Sequence, residues 1–231
     1  MDQSPIKLYL FGDSICFGQL VNSYKTWAFN LAVELSKIKN LGAPFVVQNA
    51  GVNGNTTRQA LQRMHYDITS HRPDFIMIQF GMNDCNYWAD DLVLPRVSHQ
   101  SFAANIEEIV DRSVAAGVRH CFLNTNHPSL KGEFSHYSDI SYDQSNEQYN
   151  QLIRDVHKCM VTKGKPVTLI DMERTWLSLL KNSSSLQHQR LLLEDGIHLS
   201  EEGHLLYSDN LIPSVIDKLT SIIGKPDSFS S

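Results

Sequence analysis

The sequence predicts an α/β fold, a three-layer α/β/α sandwich around a central five-stranded parallel sheet, and three observations lead there. Five apolar runs of strand length alternate with stretches of helical period, the pattern of a parallel sheet with helices on both faces. The runs are nearly continuous in apolar residues, which suits strands buried on both faces. Glycine-containing segments follow the first three runs, as loops at the carboxyl ends of such strands require.

The first strand is read as Ile6 to Phe11, followed by Gly12-Asp13-Ser14-Ile15. Gly12 lets the backbone turn and presents Ser14 at a strand's carboxyl end, where α/β sheets bind ligands. Taken alone, the segment is equally a turn in which Asp13 or Ser14 caps the next helix. Trp27, Leu31, Val33, Leu35 and Ile38 recur at helical spacing and form a helix covering the sheet. The second strand, Phe45 to Asn49, leads into Asn49-Ala50-Gly51-Val52-Asn53-Gly54, and the third, Phe75 to Phe80, into Gly81-Met82-Asn83-Asp84. Phe102, Ile106, Ile109, Val110 and Val114 mark a long helix that Gly117 ends. The fourth strand is His120 to Asn124. Leu152, Ile153, Val156, Cys159 and Met160 mark a further helix closing near Gly164, and Val167 to Asp171 is the fifth strand. The last helix starts after Ser200, its expected cap, and runs through Leu206, Leu211, Val215 and Leu219.

Two connections exceed the usual length: Cys85 to His99, with Tyr87, Trp88 and Pro95, and Thr125 to Tyr142, with His127, Phe134, His136 and Tyr137. Long loops in compact domains are often functional, and these two are expected to border Ser14; the alternative is a pair of solvated insertions whose aromatics pack locally.

At 231 residues the chain is read as one domain, 1–231, with 1–5 and 225–231 as frayed ends. A net charge of −5 and a pI near 6.0 carry no basic footprint for nucleic acid. Cys16, Cys85, Cys121 and Cys159 are widely spaced without a Cys-x-x-Cys pair, so free thiols are expected rather than a disulfide scaffold or zinc site. No basic-then-apolar leader and no run of about 20 apolar residues is visible, which leads to the expectation of a cytoplasmic location without membrane association. Asn55-Thr56-Thr57 and Asn182-Ser183-Ser184 match the glycosylation triplet but carry no weight without a secretory signal.

Near the C-terminus stands Asp195-Gly196-Ile197-His198. Together with Gly12-Asp13-Ser14, Gly51 and Gly81-Met82-Asn83-Asp84, in that chain order, it resembles the blocks of the SGNH (GDSL-type) hydrolases from Phe11 to about Gly203. The resemblance implies a flavodoxin-like SGNH hydrolase fold and a serine esterase that needs no cofactor and no metal. Ser14 is then the nucleophile, His198 the general base and acid, and Asp195 the group that orients the imidazole. The oxyanion donors are the Ser14 and Gly51 backbone amides and the Asn83 side chain, while Asp13 and Asp84 brace the site. Singly, each residue has an ordinary packing or turn role; the ordered set favours catalysis. Cys16, the rival nucleophile, falls where the next helix begins and lacks a basic neighbourhood.

The two loops interleave Tyr87, Trp88, Tyr137 and Tyr142 with Asn86, Asp90, Asp91, Arg96, His127 and Asp139, a mixture suited to sugar hydroxyls and ring faces. Tyr87, Trp88, His127 and Tyr137 are the substrate-binding candidates. Gly81 to Trp88 also resembles bacterial SGNH proteins of surface-polysaccharide or nonulosonic-acid metabolism. The expected function is therefore an O-acetylesterase acting on an acetylated sugar, with a small-molecule acyl ester as partner and a homodimer compatible with the chain. The alternatives are a short-chain thioesterase, lysophospholipase or lipase of the same family, acyl transfer to another hydroxyl, and a non-catalytic carbohydrate-binding or scaffold protein.

Overall fold

A computed structural model describes residues 4–38, 43–89, 93–132, 138–181 and 185–224. Five parallel strands form one sheet in the order β2-β1-β3-β4-β5: β1 (Ile6–Gly12), β2 (Phe45–Gly51), β3 (Phe75–Gln79), β4 (His120–Asn124) and β5 (Val167–Ile170). This is the flavodoxin-like order, in which the chain reverses its direction of travel across the sheet between β1 and β3. Gly12 lies opposite Gly51 on one side and Gln79 on the other, so the loops leaving three strands start side by side. The ladder carries β1 and β2 through to that glycine pair, one and two residues beyond the apolar runs, while β3 and β5 each stop one residue early.

The helices are α1 (Ser14–Phe17), α2 (Trp27–Ser36), α3 (Thr57–Asp67), α4 (His99–Ala115), α5 (Tyr142–Thr162), α6 (Met172–Leu180), α7 (Ser185–Leu191) and α8 (Glu201–Ile223). α2 packs with α8, which also meets α6 and α7; α3, α4 and α5 pack in series. Leu8, Leu10, Phe11, Phe75, Ile76 and Phe122 of the central strands are fully buried. The expectation of strands covered on both faces fails for β2: as an edge strand it carries only exposed and half-buried residues, and Val46 is 43% exposed.

Caps place the helix starts. Asp13, Thr26, Ser98, Ser141, Asp171 and Ser200 each accept a backbone N–H from the first turn that follows, satisfying donors that a helix cannot satisfy itself. Ser200 caps α8 as expected, and Gly117 follows the end of α4 with φ +97°. α3, α6 and α7 lie where the apolar pattern showed no helix, and α5 begins ten residues before Leu152. Cys16, Cys85 and Cys121 are buried and Cys159 half-buried, all as free thiols.

Candidate active site

Ser14 is the first residue of α1, directly beyond β1. Its turn is built locally: Asp13 Oδ1 accepts the Ile15 N–H at 3.0 Å, and the indole of Trp27 donates to the Ile15 carbonyl at 3.0 Å. Asn49 ties α1 to β2, its amide donating to the Cys16 carbonyl at 2.9 Å. From the other end of the sequence, Asp195 to His198 forms a tight loop in which Asp195 Oδ1 accepts the amides of Ile197 and His198 at 2.9 and 3.0 Å. Gly196 sits at φ +69°, a left-handed conformation that side chains resist.

These two pieces meet. His198 Nε2 lies 2.8 Å from Ser14 Oγ, and His198 Nδ1 lies 2.5 Å from Asp195 Oδ2. The three side chains thus make one hydrogen-bonded line. Ser14 is buried, and the His198 side chain is 16% exposed. Partial burial pushes the Asp195 carboxyl up, but the hydrogen bonds from the His198 ring and from the two loop amides outweigh it and hold the group below its ordinary value.

Asn83 stands beyond β3 with its amide 3.3 Å from Asp13 Oδ2. Tyr142 donates to the Met82 carbonyl at 2.6 Å and Ser145 to the Cys85 carbonyl at 2.8 Å, so α5 pins the turn that carries Asn83. Burial raises Asp13 to about 7 against the opposing Ile15 hydrogen bond. Asp84 Oδ1 accepts both the amide and the hydroxyl of Thr57, at 2.9 and 2.5 Å, while its Oδ2 finds no donor among the described residues. Burial lifts this group to about 6. Asp13 and Asp84 therefore tie together the turns after β1, β2 and β3.

Gly51 is not free to serve as a donor. Its N–H goes to Asn49 Oδ1 at 2.9 Å, and an added Cβ would meet the Phe17 backbone nitrogen at 2.5 Å; the glycine lets α1 approach β2. Farther along that loop, the amides of Val52, Asn55, Thr56 and Thr57 donate to Gly12 O, Val52 O, Gln59 Oε1 and Asp84 Oδ1. Asn53 and Gly54 are the remaining amides, and space around Gly54 is open. Gly54 ends the Asn49-Ala50-Gly51-Val52-Asn53-Gly54 segment in which Gly51 was the expected donor.

His127 is not at the surface. It is fully buried beside Trp176, with Nδ1 2.8 Å from the Tyr207 hydroxyl and Nε2 2.8 Å from the Ile197 carbonyl. Both contacts are met when Tyr207 donates to Nδ1 and the Nε2–H donates to Ile197. Leu130 N–H also donates to the Gly196 carbonyl at 2.8 Å, so His127 and Leu130 support the Asp195–His198 loop, and His127 is buried away from any sugar surface. Tyr142 is buried as well. Tyr87 is half-buried and bridges to Pro95, whereas Trp88 is 48% exposed with the Arg96 guanidinium 3.7 Å over its ring. Arg96 reaches back to the Gly54 carbonyl at 3.3 Å, joining Trp88 to the β2–α3 loop. Tyr137, Phe134, His136, Asp90, Asp91, the 182–184 triplet and the ends 1–3 and 225–231 lie outside the described residues.

Cys16 Sγ rests 3.5 Å from Asn49 Oδ1, and burial pushes its thiol far up. Among the described residues, no three His, Cys, Asp or Glu side chains gather as a metal site, and no helix is long and apolar enough to cross a membrane.

A parallel α/β sheet with a Ser–His–Asp line at its strand ends is the framework of a class of esterases and acylhydrolases. The chain belongs to the GDSL-like lipase/acylhydrolase family, whose model matches residues 10–206. It is 26% identical over 172 residues to the uncharacterized lipoprotein YqeF of Bacillus subtilis (strain 168), covering 69% of this chain and 66% of that one. It is 26% identical over 141 residues to an arylesterase of Vibrio mimicus, covering 61% and 64%. In both cases the match spans slightly less than two thirds of the relative's length. Among solved structures, the acetyl xylan esterase AlAXEase shares the fold with a TM-score of 0.72 at 21% identity, over 91% of this chain and 100% of the other.

Proposed function

We propose that this ester hydrolase is an O-acetylesterase that deacetylates a carbohydrate through Ser14, His198 and Asp195. The observation that carries the proposal is the unbroken line from Ser14 Oγ through the His198 ring to Asp195 Oδ2, at 2.8 and 2.5 Å. His198 Nε2 takes the hydroxyl proton as Ser14 Oγ attacks the acyl carbonyl; Asp195 holds the other ring nitrogen as N–H and stabilises the imidazolium. The tetrahedral oxyanion faces the Ser14 amide, the Asn83 side chain and, in place of Gly51, the Gly54 amide. Collapse breaks the bond to the sugar oxygen, which takes the proton from His198. Water then repeats the sequence on the acyl-enzyme, releasing acetate and restoring Ser14.

Trp88 supports a sugar as the leaving group: its ring is half exposed and held from one side by Arg96, the setting in which an aromatic face stacks on a pyranose. The fold shared with an acetyl xylan esterase supports the same substrate class. The test is the rate of p-nitrophenyl acetate hydrolysis by wild type and Ser14→Ala, followed by acetylated xylo-oligosaccharide against p-nitrophenyl esters of rising chain length. Loss of turnover in the variant and preference for acetyl are expected. Equal rates in the two proteins reject the nucleophile, and a specificity constant that climbs with chain length rejects the acetyl preference.

A further inference from the structure

Arg63 projects from α3 and makes no described contact to Ser14, His198 or Asp195, yet its guanidinium holds the strand ends on which the site is built. Nε donates to Asn55 Oδ1 at 2.7 Å. Nη1 donates to the Ala50 carbonyl at 2.8 Å and to Asp67 Oδ2 at 2.7 Å. Nη2 donates to the Gly12 carbonyl at 3.0 Å, which also accepts the Val52 amide at 3.0 Å. The guanidinium carbon lies 4.6 Å from the centroid of the Phe11 ring. One side chain thus touches the residue before Asp13-Ser14, the end of β2, and the residue after Gly54.

A planar guanidinium is suited to this because its five N–H groups point in fixed directions across one plane. Asp67 lies one helical turn along α3 and orients the fork. The remaining acceptors belong to three separate stretches that share no other charged side chain in the contacts described. We infer that Arg63 is a positioning residue of the esterase site, setting the distance between the Ser14 turn and the Gly54 loop so that their amides converge on one oxyanion. The inference rests on the catalytic reading of Ser14 and Gly54 above. Displacement of a reacting group or donor by about 1 Å is enough to cost on the order of a hundredfold in rate.

The Arg63 side chain is 17% exposed, and a groove of about 430 Å³ lined by Gln48, Asn49, Ala50, Val52, Asp67 and His71 opens beside it. A small cation can therefore enter when the side chain is shortened. The experiment compares Arg63→Lys and Arg63→Ala with wild type on p-nitrophenyl acetate, with Tm and circular dichroism as checks on folding. Expected is a fall in kcat of about tenfold to a hundredfold, with KM held within about twofold, since the contacts described for Arg63 include none to Ser14, His198, Asp195 or Asn83. Inhibition by an alkylboronic acid, which mimics the tetrahedral intermediate on serine, should weaken by a similar factor. Added methylguanidinium should restore part of kcat to Arg63→Ala and none to wild type. A folded Arg63→Lys with wild-type kcat overturns the inference, as does a loss of kcat that leaves boronate affinity unchanged. Failure of both variants to fold assigns Arg63 to the framework alone and overturns it too. Ser14→Ala run in parallel separates the two claims: full activity there removes the catalytic reading, whereas a dead Ser14→Ala beside an active Arg63→Lys removes only the role of Arg63.

Discussion

Asn83 offers an N–H to a developing oxyanion without bringing a charge of its own. One amide proton is committed to Asp13 Oδ2 at 3.3 Å, which aims the other. Asn83→Ala should lower kcat by about a hundredfold, on the order of 3 kcal/mol of transition-state stabilisation, with little change in KM; steady-state kinetics on p-nitrophenyl acetate reads this directly. His127 acts differently, through stability. Burial lowers it to about 3 from 6.5, against the opposing hydrogen bond to Ile197. The folded state thus binds the proton less tightly than the unfolded one. The stabilisation from a neutral His127 is present above pH 6.5 and is lost as pH falls through the interval toward 3. His127→Gln does not titrate, so its Tm deficit against wild type should be larger at pH 7.5 than at pH 5; thermal melts of both proteins at the two pH values give the comparison, and a constant gap argues against a neutral buried ring. Ser14, Asp195 and His198 were legible because short local patterns carry their chemistry. His127 was not, because Tyr207 and Ile197, its partners, stand 80 and 70 residues away, and an aromatic-rich loop reads the same whether it faces solvent or core.

Among the elements, α5 shows why helical period alone underreads a helix. Its first half buries Tyr142, Ser145, Asn146, Tyr149 and Asn150, residues at helical spacing but polar in type. Each is held by a specific bond: Asn150 to Asn126 and Glu173, Asn146 to the His127 carbonyl, and Tyr149 to the Val97 carbonyl. An apolar-period reading therefore begins the helix only near Leu152. α3 escaped for a related reason, since Ala60 and Met64 supply most of its buried face while Arg63 and Thr57 are spent on polar braces. The same polar layer carries a testable weight. Arg154 donates to both oxygens of Asp171 at 2.8 and 2.7 Å and to Glu173 at 2.6 Å, with all three side chains mostly buried. These pairings outweigh the cost of burial and hold the guanidinium above its ordinary value. Arg154→Met keeps the bulk but leaves Asp171 with Thr125 and Arg174 and Glu173 with Asn150, and should cost about 3 kcal/mol, read from urea unfolding at pH 7. A loss below about 1 kcal/mol means that water replaces the arginine easily.

Over the whole molecule, the strand order places β1 and β3 side by side at the point where the chain reverses direction across the sheet, and Ser14 and Asn83 follow those two strands. The order of the sequence blocks made this arrangement legible, because successive strand ends in a parallel sheet open on one edge. The different settings of His127 and Trp88 on the two long loops were not legible. After β4, His127 turns inward, and its ring and the Leu130 amide hold the Asp195–His198 loop by its backbone. After β3, Trp88 stands half exposed with Arg96 over its ring. A contrast in kinetics follows. Trp88→Ala should lower kcat/KM for an acetylated xylo-oligosaccharide by about tenfold, corresponding to roughly 1.4 kcal/mol of lost stacking and burial. Ethyl acetate, which has no ring to stack, should be turned over within about twofold of wild type. Leu130→Pro, by removing the N–H that Gly196 accepts at 2.8 Å and so loosening the loop that bears His198, should reduce kcat on both esters by a similar factor. The two substrates measured on the two variants decide the matter: parallel losses for Trp88→Ala would place that ring in the framework, and a sugar-selective loss for Leu130→Pro would return Leu130 to the substrate surface.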